Sequence, residues 1–167
     1  MFSDEIIQLA AETLQMAREK SFHLAAAESC TGGLIMAALT EISGSSDVVD
    51  RGFITYTNRA KMEVLGVSAE TLRIGGAVTK ETAIAMAEGA LEKSSATLAV
   101  SVTGIAGPGG GTPEKPIGLV HIACAVRDGK TLHEKHLFGD VCQNISRDKV
   151  REATVIAALR LLLRKIK

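Results

Sequence analysis

The sequence is poor in aromatic residues, with no tryptophan, one tyrosine and four phenylalanines among 167 residues. So few rings exclude a platform on which successive bases stack. Charge of either sign is also not in excess: 19 lysines and arginines balance 19 aspartates and glutamates. A neutral chain lacks the phosphate-neutralising surface that gives general affinity for nucleic acid. Only three cysteines occur, Cys30, Cys124 and Cys142, and no two form a CxxC pair. That excludes a zinc ribbon and a thioredoxin-like motif, and a disulfide framework is not expected at this length. No apolar run approaches the ~20 residues of a membrane span. The N-terminal Met1-Phe2-Ser3-Asp4-Glu5 is acidic, where a secretory signal begins basic. These absences predict a cytoplasmic protein with reduced thiols and neither a membrane nor a nucleic-acid partner. His133 and His136, three apart on a predicted strand, point to opposite faces. With no ligand cluster, no metal is expected.

The elements that are present fit a single domain spanning residues 1–167, since one domain averages roughly 150 residues. Apolar positions of period 3.6 predict a helix over 3–19, with Ser3 as its N-cap. Residues 22–27 form a short buried strand, 34–42 a helix and 48–57 a second strand. Asn58 is expected to cap a helix ending at Leu65, closed by Gly66. A helix over 79–93 follows, capped by Thr79. Strands are predicted over 97–102, 117–126 and 131–138, the last two joined by an Asp128-Gly129 hairpin turn. A final helix runs from Ser146 to Lys165. The order α-β-α-β-α-α-β-β-β-α implies an α/β fold, a three-layer α/β/α sandwich on a mixed, mainly parallel sheet of about five strands.

Ligands in such sheets collect beyond the carboxyl ends of the parallel strands. Three loops fall there: 28–33, 57–61 and 103–113. In the first, Ser29 sits between a strand and a helix. On position alone a helix cap (Ser29 or Thr31) is the commoner role, and a nucleophile at a helix N-terminus the sharper one. Gly32 and Gly33 behind it allow close approach to the backbone. Cys30 is the rival nucleophile, though a small residue facing the core is the simpler reading. In the second loop stand Tyr56, the only tyrosine, and Lys61. A solvated lysine is the plain reading of Lys61. Its place in a first helical turn, where positive potential depresses an amine's pKa, also suits a general base. The third loop, Thr103 to Pro113, is dense in glycine and suits an anion or a flat ring. It is neither a Walker A loop nor a dinucleotide fingerprint.

Ala27-Glu28-Ser29-Cys30-Thr31-Gly32-Gly33 resembles the first signature of the CinA C-terminal domain family, and Val102 to Gly118 resembles its second. Tyr56-Thr57-Asn58-Arg59-Ala60-Lys61, Leu65-Gly66-Val67 and Gly76-Ala77-Val78 follow the family pattern between them. The resemblance covers roughly residues 5–165. The segment Asp140–Lys149 departs from it by its length. Members are nicotinamide-nucleotide amidases, which convert nicotinamide mononucleotide to nicotinate mononucleotide and ammonia. Some carry a further N-terminal domain, for which this chain has no room, so a stand-alone amidase is expected.

The resemblance implies Ser29 as nucleophile with Tyr56 and Lys61 as its partners, and no cofactor. Lys61, directly or through Tyr56, would move the proton. Backbone N–H groups at Thr31, Gly32 and Gly33, or at Thr103 and Gly104, would hold the oxyanion. Gly107, Gly109 and Gly110, with Thr112 as a donor, would hold ribose or phosphate. The expected partners are a small nucleotide substrate and further copies of the chain in a homo-oligomer. Two rival functions remain: a catalytically silent nucleotide-binding regulatory domain, which loss of Ser29, Tyr56 or Lys61 would mark, and a serine-dependent hydrolase of another small amide or ester.

Overall fold

A computed structural model describes residues 2–141 and 146–167. In chain order the elements are α1 (Asp4–Glu19), β1 (Leu24–Glu28), α2 (Leu34–Thr40), a 3-10 turn (Ser45–Asp47), β2 (Val49–Ile54), α3 (Asn58–Leu65), α4 (Ala69–Gly75), α5 (Lys80–Glu92), β3 (Leu98–Gly104), β4 (Leu119–Val126), β5 (Leu132–Leu137), α6 (Phe138–Val141) and α7 (Arg147–Ile166). The expected elements are all present, and α4, α6 and the 3-10 turn are additional. Helix α4 has seven residues and buries only Leu72. Two turns are too short to show a hydrophobic period, and tertiary packing rather than propensity sustains such a helix.

The sheet order is β2-β1-β3-β4-β5. β1 pairs in parallel with both β2 and β3, whereas β3–β4 and β4–β5 are antiparallel. The mixed five-stranded sheet is thus as expected, with its parallel character confined to the first three strands. The β4–β5 hairpin turns at Asp128, in the left-handed region at φ 60°, and Gly129 N–H donates to Val126 O.

Alternation along the strands builds two unlike cores. Leu24 and Ala26, Leu98, Val100 and Val102, and Val120, Ile122 and Cys124 face α1, α2 and α7. The opposite face carries Ala25, Ala27, Ala99, Ala123 and Ala125, and receives α5. Alanines there let α5 lie close to the sheet. Close packing continues between α5 and α3, where a Cβ on Gly89 would stand 2.0 Å from the Leu65 carbonyl oxygen. Helices on both faces make the three-layer sandwich.

The parallel register sets Glu28 opposite Ile54 on one side and Val102 on the other. The carboxyl ends of β1 and β2 therefore finish level and β3 runs two residues further, so the three glycine- and hydroxyl-bearing loops leave from one end of the strands. Part of the lengthened segment Asp140–Lys149, including Cys142, lies outside the described residues.

Candidate active site

The loop after β1 turns sharply. Ser29 N–H still donates to Val102 O at 3.1 Å, and Gly32 N–H returns to Ser29 O at 3.1 Å. Gly32 and Gly33 hold φ values of 61° and 100°, a region that favours glycine. Neither Ser29 nor Thr31 caps α2, contrary to the simpler expectation. The cap is Glu28: its carboxylate accepts from Gly33 N–H at 2.9 Å, Ile35 N–H at 3.2 Å and Met36 N–H at 2.9 Å. Thr31 is buried and gives its hydroxyl proton to the same carboxylate at 2.6 Å. Ser29 is left free of structural duty at its side chain.

Lys61 comes from α3, and the residue that caps this helix is Thr57 rather than Asn58. Thr57 Oγ1 accepts from Ala60 N–H at 3.1 Å, while Asn58 is the first helical residue. Gly66 closes the helix in the left-handed region, as expected. Lys61 is not a solvated surface lysine: its relative exposure is 0%. Its Nζ lies 3.0 Å from Ser29 Oγ and donates to Thr55 O at 2.8 Å. No carboxylate pairs with it among the described residues. Burial without a counter-ion penalises the charged form and lowers the amine below its usual value. Cys30 is buried beside the first core, and burial pushes its thiol up to about 12. A thiol so protonated is a poor nucleophile.

Ser29 and Lys61 open into a cleft of about 260 Å³, whose walls include Tyr56, Ala77, Val78, Thr103, Gly104, Ile105, Ala106, Gly107, Gly109 and Gly110. Thr103 gives its hydroxyl proton to Ala77 O at 2.7 Å, so it braces the wall. A Cβ on Gly104 would stand 2.7 Å from Leu119 O, which explains glycine at that strand end. Tyr56 is 59% exposed, and its hydroxyl is bonded to Arg147 at 2.9 Å rather than to Ser29 or Lys61. Thr112 does not reach the cleft: its Oγ1 accepts from Lys115 N–H at 3.0 Å within a local turn. Nor are the amides of Gly32 and Gly33 available to an oxyanion, because Ser29 O and Glu28 already hold them. Ala106 and Gly107, on the cleft wall, have N–H groups without an acceptor among the described residues.

Sequence reasoning missed Arg147 and the cap role of Glu28. Arg147 opens α7 and reaches across the cleft, donating to Gly107 O at 2.7 Å as well as to Tyr56. The signal was present: a cation in the first turn of a helix is misplaced against the dipole, the argument applied to Lys61. A larger cavity, about 550 Å³, lies between α1, β5 and α7. Its ionic side chains pair with one another, Arg160 with Glu5 and Arg164 with Glu134. Size alone does not make it the chemical site, because it holds no nucleophile–base pair.

Comparison with known proteins places the whole chain within one family. The CinA C-terminal domain model matches residues 6–166. A CinA-like protein of Syntrophobacter fumaroxidans is 52% identical over 88% of this chain and 33% of its own length. The chain thus spans about a third of the length of the first curated relatives it matches. A protein of Enterobacter agglomerans named nicotinamide-nucleotide amidohydrolase PncC is 44% identical over 99% of this chain and 98% of its own. The crystal structure of competence/damage inducible protein CihA from Agrobacterium tumefaciens superposes with a TM-score of 0.94 at 52% identity, covering 98% of this chain and 97% of that one.

Proposed function

The chain belongs to the CinA C-terminal domain family, and we propose that it is an amidohydrolase that converts nicotinamide mononucleotide to nicotinate mononucleotide and ammonia. The observation that carries this reading is the wholly buried Lys61 amine 3.0 Å from Ser29 Oγ, with no carboxylate paired to it among the described residues. A neutral amine is a base, and a hydroxyl in contact with a base is a nucleophile. The similarity to the protein named nicotinamide-nucleotide amidohydrolase PncC supports the choice of substrate.

Ser29 Oγ attacks the carboxamide carbon, and Lys61 Nζ accepts its proton. The N–H groups of Ala106 and Gly107, on the cleft wall and without an acceptor among the described residues, are the donors for the tetrahedral oxygen in this reading. Lys61 then returns a proton to the departing nitrogen, which leaves as ammonia, and Ser29 holds the acyl group as an ester. Water attacks that ester with Lys61 again as base, and the carboxylate leaves as Ser29 recovers its proton. The short Lys61–Ser29 distance favours direct transfer, and Tyr56 serves the substrate side of the cleft. Ala77 and Val78 offer an apolar slot for the flat ring, and Arg147 offers a guanidinium to the phosphate.

The test is release of ammonia from nicotinamide mononucleotide by the purified protein, with nicotinamide riboside and simple amides as controls. Release from all amides alike would favour a broad serine hydrolase. No release from any, with nucleotide binding retained, would favour a silent binding domain.

A further inference from the structure

Glu28 ends β1, one residue before Ser29. Its side chain is wholly buried, and no cation pairs with it among the described residues. A buried carboxylate is costly unless hydrogen bonds replace its water. Four donors do so here. Oε2 accepts from Thr31 Oγ1, Gly33 N–H and Ile35 N–H, and Oε1 accepts from Met36 N–H. The amides of Ile35 and Met36 are among those a helix leaves unpaired at its start. The strand end and the helix start are thereby laced together, and the turn carrying Ser29 is clamped between them.

The main chain of the same residue reaches the other half of the pair. Glu28 O accepts from Thr55 N–H at 2.8 Å. Thr55 O in turn accepts from Lys61 Nζ at 2.8 Å. One residue therefore ties down the nucleophile's turn with its carboxylate and the base's anchor with its carbonyl. Its carboxylate also occupies the positive end of α2, so Lys61 rather than the helix is left to activate Ser29.

We propose that Glu28 is a positioning residue of the hydrolysis: its carboxylate sets the Ser29 Oγ–Lys61 Nζ geometry without touching substrate. The inference rests on the Ser29–Lys61 reading above. Both carboxylate oxygens face amide donors, so in Glu28→Gln one N–H must meet the new NH2 whichever way the amide is turned. The walls that hold substrate belong mainly to other elements: β3, the glycine-rich loop and residues 77–78.

The experiment measures kcat and KM for nicotinamide mononucleotide, product affinity by calorimetry and thermal unfolding for wild type, Ser29→Ala, Glu28→Gln, Glu28→Asp and Thr31→Val. For Glu28→Gln, kcat falls about 10²-fold, the loss expected of a roughly 1 Å misplacement, while KM and product affinity stay within about twofold of wild type. Glu28→Asp restores the charge at shorter reach and recovers part of kcat. Thr31→Val removes one of the four donors and lowers kcat by less than Glu28→Gln does. Wild-type kcat in folded Glu28→Gln overturns the proposal, as does a joint loss of kcat and product affinity. If Glu28→Gln does not fold, Thr31→Val decides, and an unchanged kcat there overturns it. An inactive wild type or an active Ser29→Ala overturns the underlying reading and this one together. An active wild type, a dead Ser29→Ala and a fully active Glu28→Gln overturn only the role of Glu28.

Discussion

Lys61 Nζ stands 3.0 Å from Ser29 Oγ, across 32 residues of sequence and two different elements. Thr55 O holds one amine hydrogen at 2.8 Å and so fixes the direction in which the nitrogen faces. No carboxylate pairs with the ammonium among the described residues, and burial, the larger influence on it, works against the charge. Burial therefore shifts the pair toward the neutral amine, the form a general base needs.

Ser29→Ala is expected to fold as wild type. The α2 cap belongs to Glu28, so the change removes one hydrogen bond worth about 1 kcal/mol. Turnover should fall by about 10³ or more, the scale on which a serine hydrolase loses rate without its nucleophile. Circular dichroism and ammonia release measure the two separately. A folded, fully active Ser29→Ala returns the nucleophile question to Cys30 or water.

Lys61→Arg keeps a cation but supplies no base, since guanidinium stays protonated above about pH 12. It should be nearly as inactive as Lys61→Ala. In wild type, acid protonates Lys61 and removes the base. Activity therefore rises with pH along one limb whose midpoint lies below the ordinary lysine value of about 10.4. The check is kcat/KM against pH. Good turnover by Lys61→Arg would assign Lys61 to charge placement alone.

Cys30→Ala is expected to stay active. Its thiol is buried and held up at about 12, so thiolate is scarce at neutral pH. Deleting so small a buried group costs around 1 kcal/mol or less, near the value of one buried methylene. Alkylation of Cys30 in the native protein should be slow compared with that of the unfolded protein. Inactivation of folded Cys30→Ala would count against a serine mechanism.

How far the sequence reads through to the site depends on the kind of signal. An apolar period announced α1, capping and closing residues announced α3 and α5, and the strand–helix alternation announced the sheet. Helix α4 stayed hidden because seven residues with one buried leucine show no period. Ser29 and Lys61 were legible by type, but their contact was not, since it depends on β1 and β2 ending level. Glu28 stood in the first signature with no role assigned to it, and its cap role requires the chain to turn back through Gly32 and Gly33. Thr112 looked like a donor within the glycine-rich loop, yet its hydroxyl oxygen accepts from Lys115 N–H in a local turn that does not line the cleft.

Arg147 bridges Gly107 O and Tyr56 across the cleft, where the proposed function puts the substrate phosphate. Arg147→Ala should raise KM for nicotinamide mononucleotide by roughly 10-fold or more, as loss of a charge-assisted contact worth about 1.5–3 kcal/mol does. The same variant should change little toward nicotinamide riboside, which lacks the phosphate. Equal effects on both substrates would show that Arg147 holds the loop rather than the phosphate.

His121 and His133 give stability its own pH dependence, separate from that of activity. Nδ1 of His121 lies 3.0 Å from Nε2 of His133, a contact that needs one nitrogen bare. Burial first, then the charges of His133 and Lys135, press His121 down to about 4; Lys115 adds to this and Glu81 opposes it. His133 is lowered too, by burial and then Lys80. The unfolded chain, titrating near 6.5, takes up its proton before the folded one does. Stability is therefore complete above about pH 6.5 and declines as pH falls toward 4, by about 1.4 kcal/mol per pH unit for His121. Asp50 and Glu134, held below their usual values of 3.8 and 4.5, add their own losses of stability only as pH falls below about 4.5. His121→Gln keeps a polar partner for His133 but cannot titrate. Denaturant midpoints between pH 6.5 and 4.5 should fall in wild type and fall less steeply in this variant. Parallel slopes would show that the proton goes elsewhere.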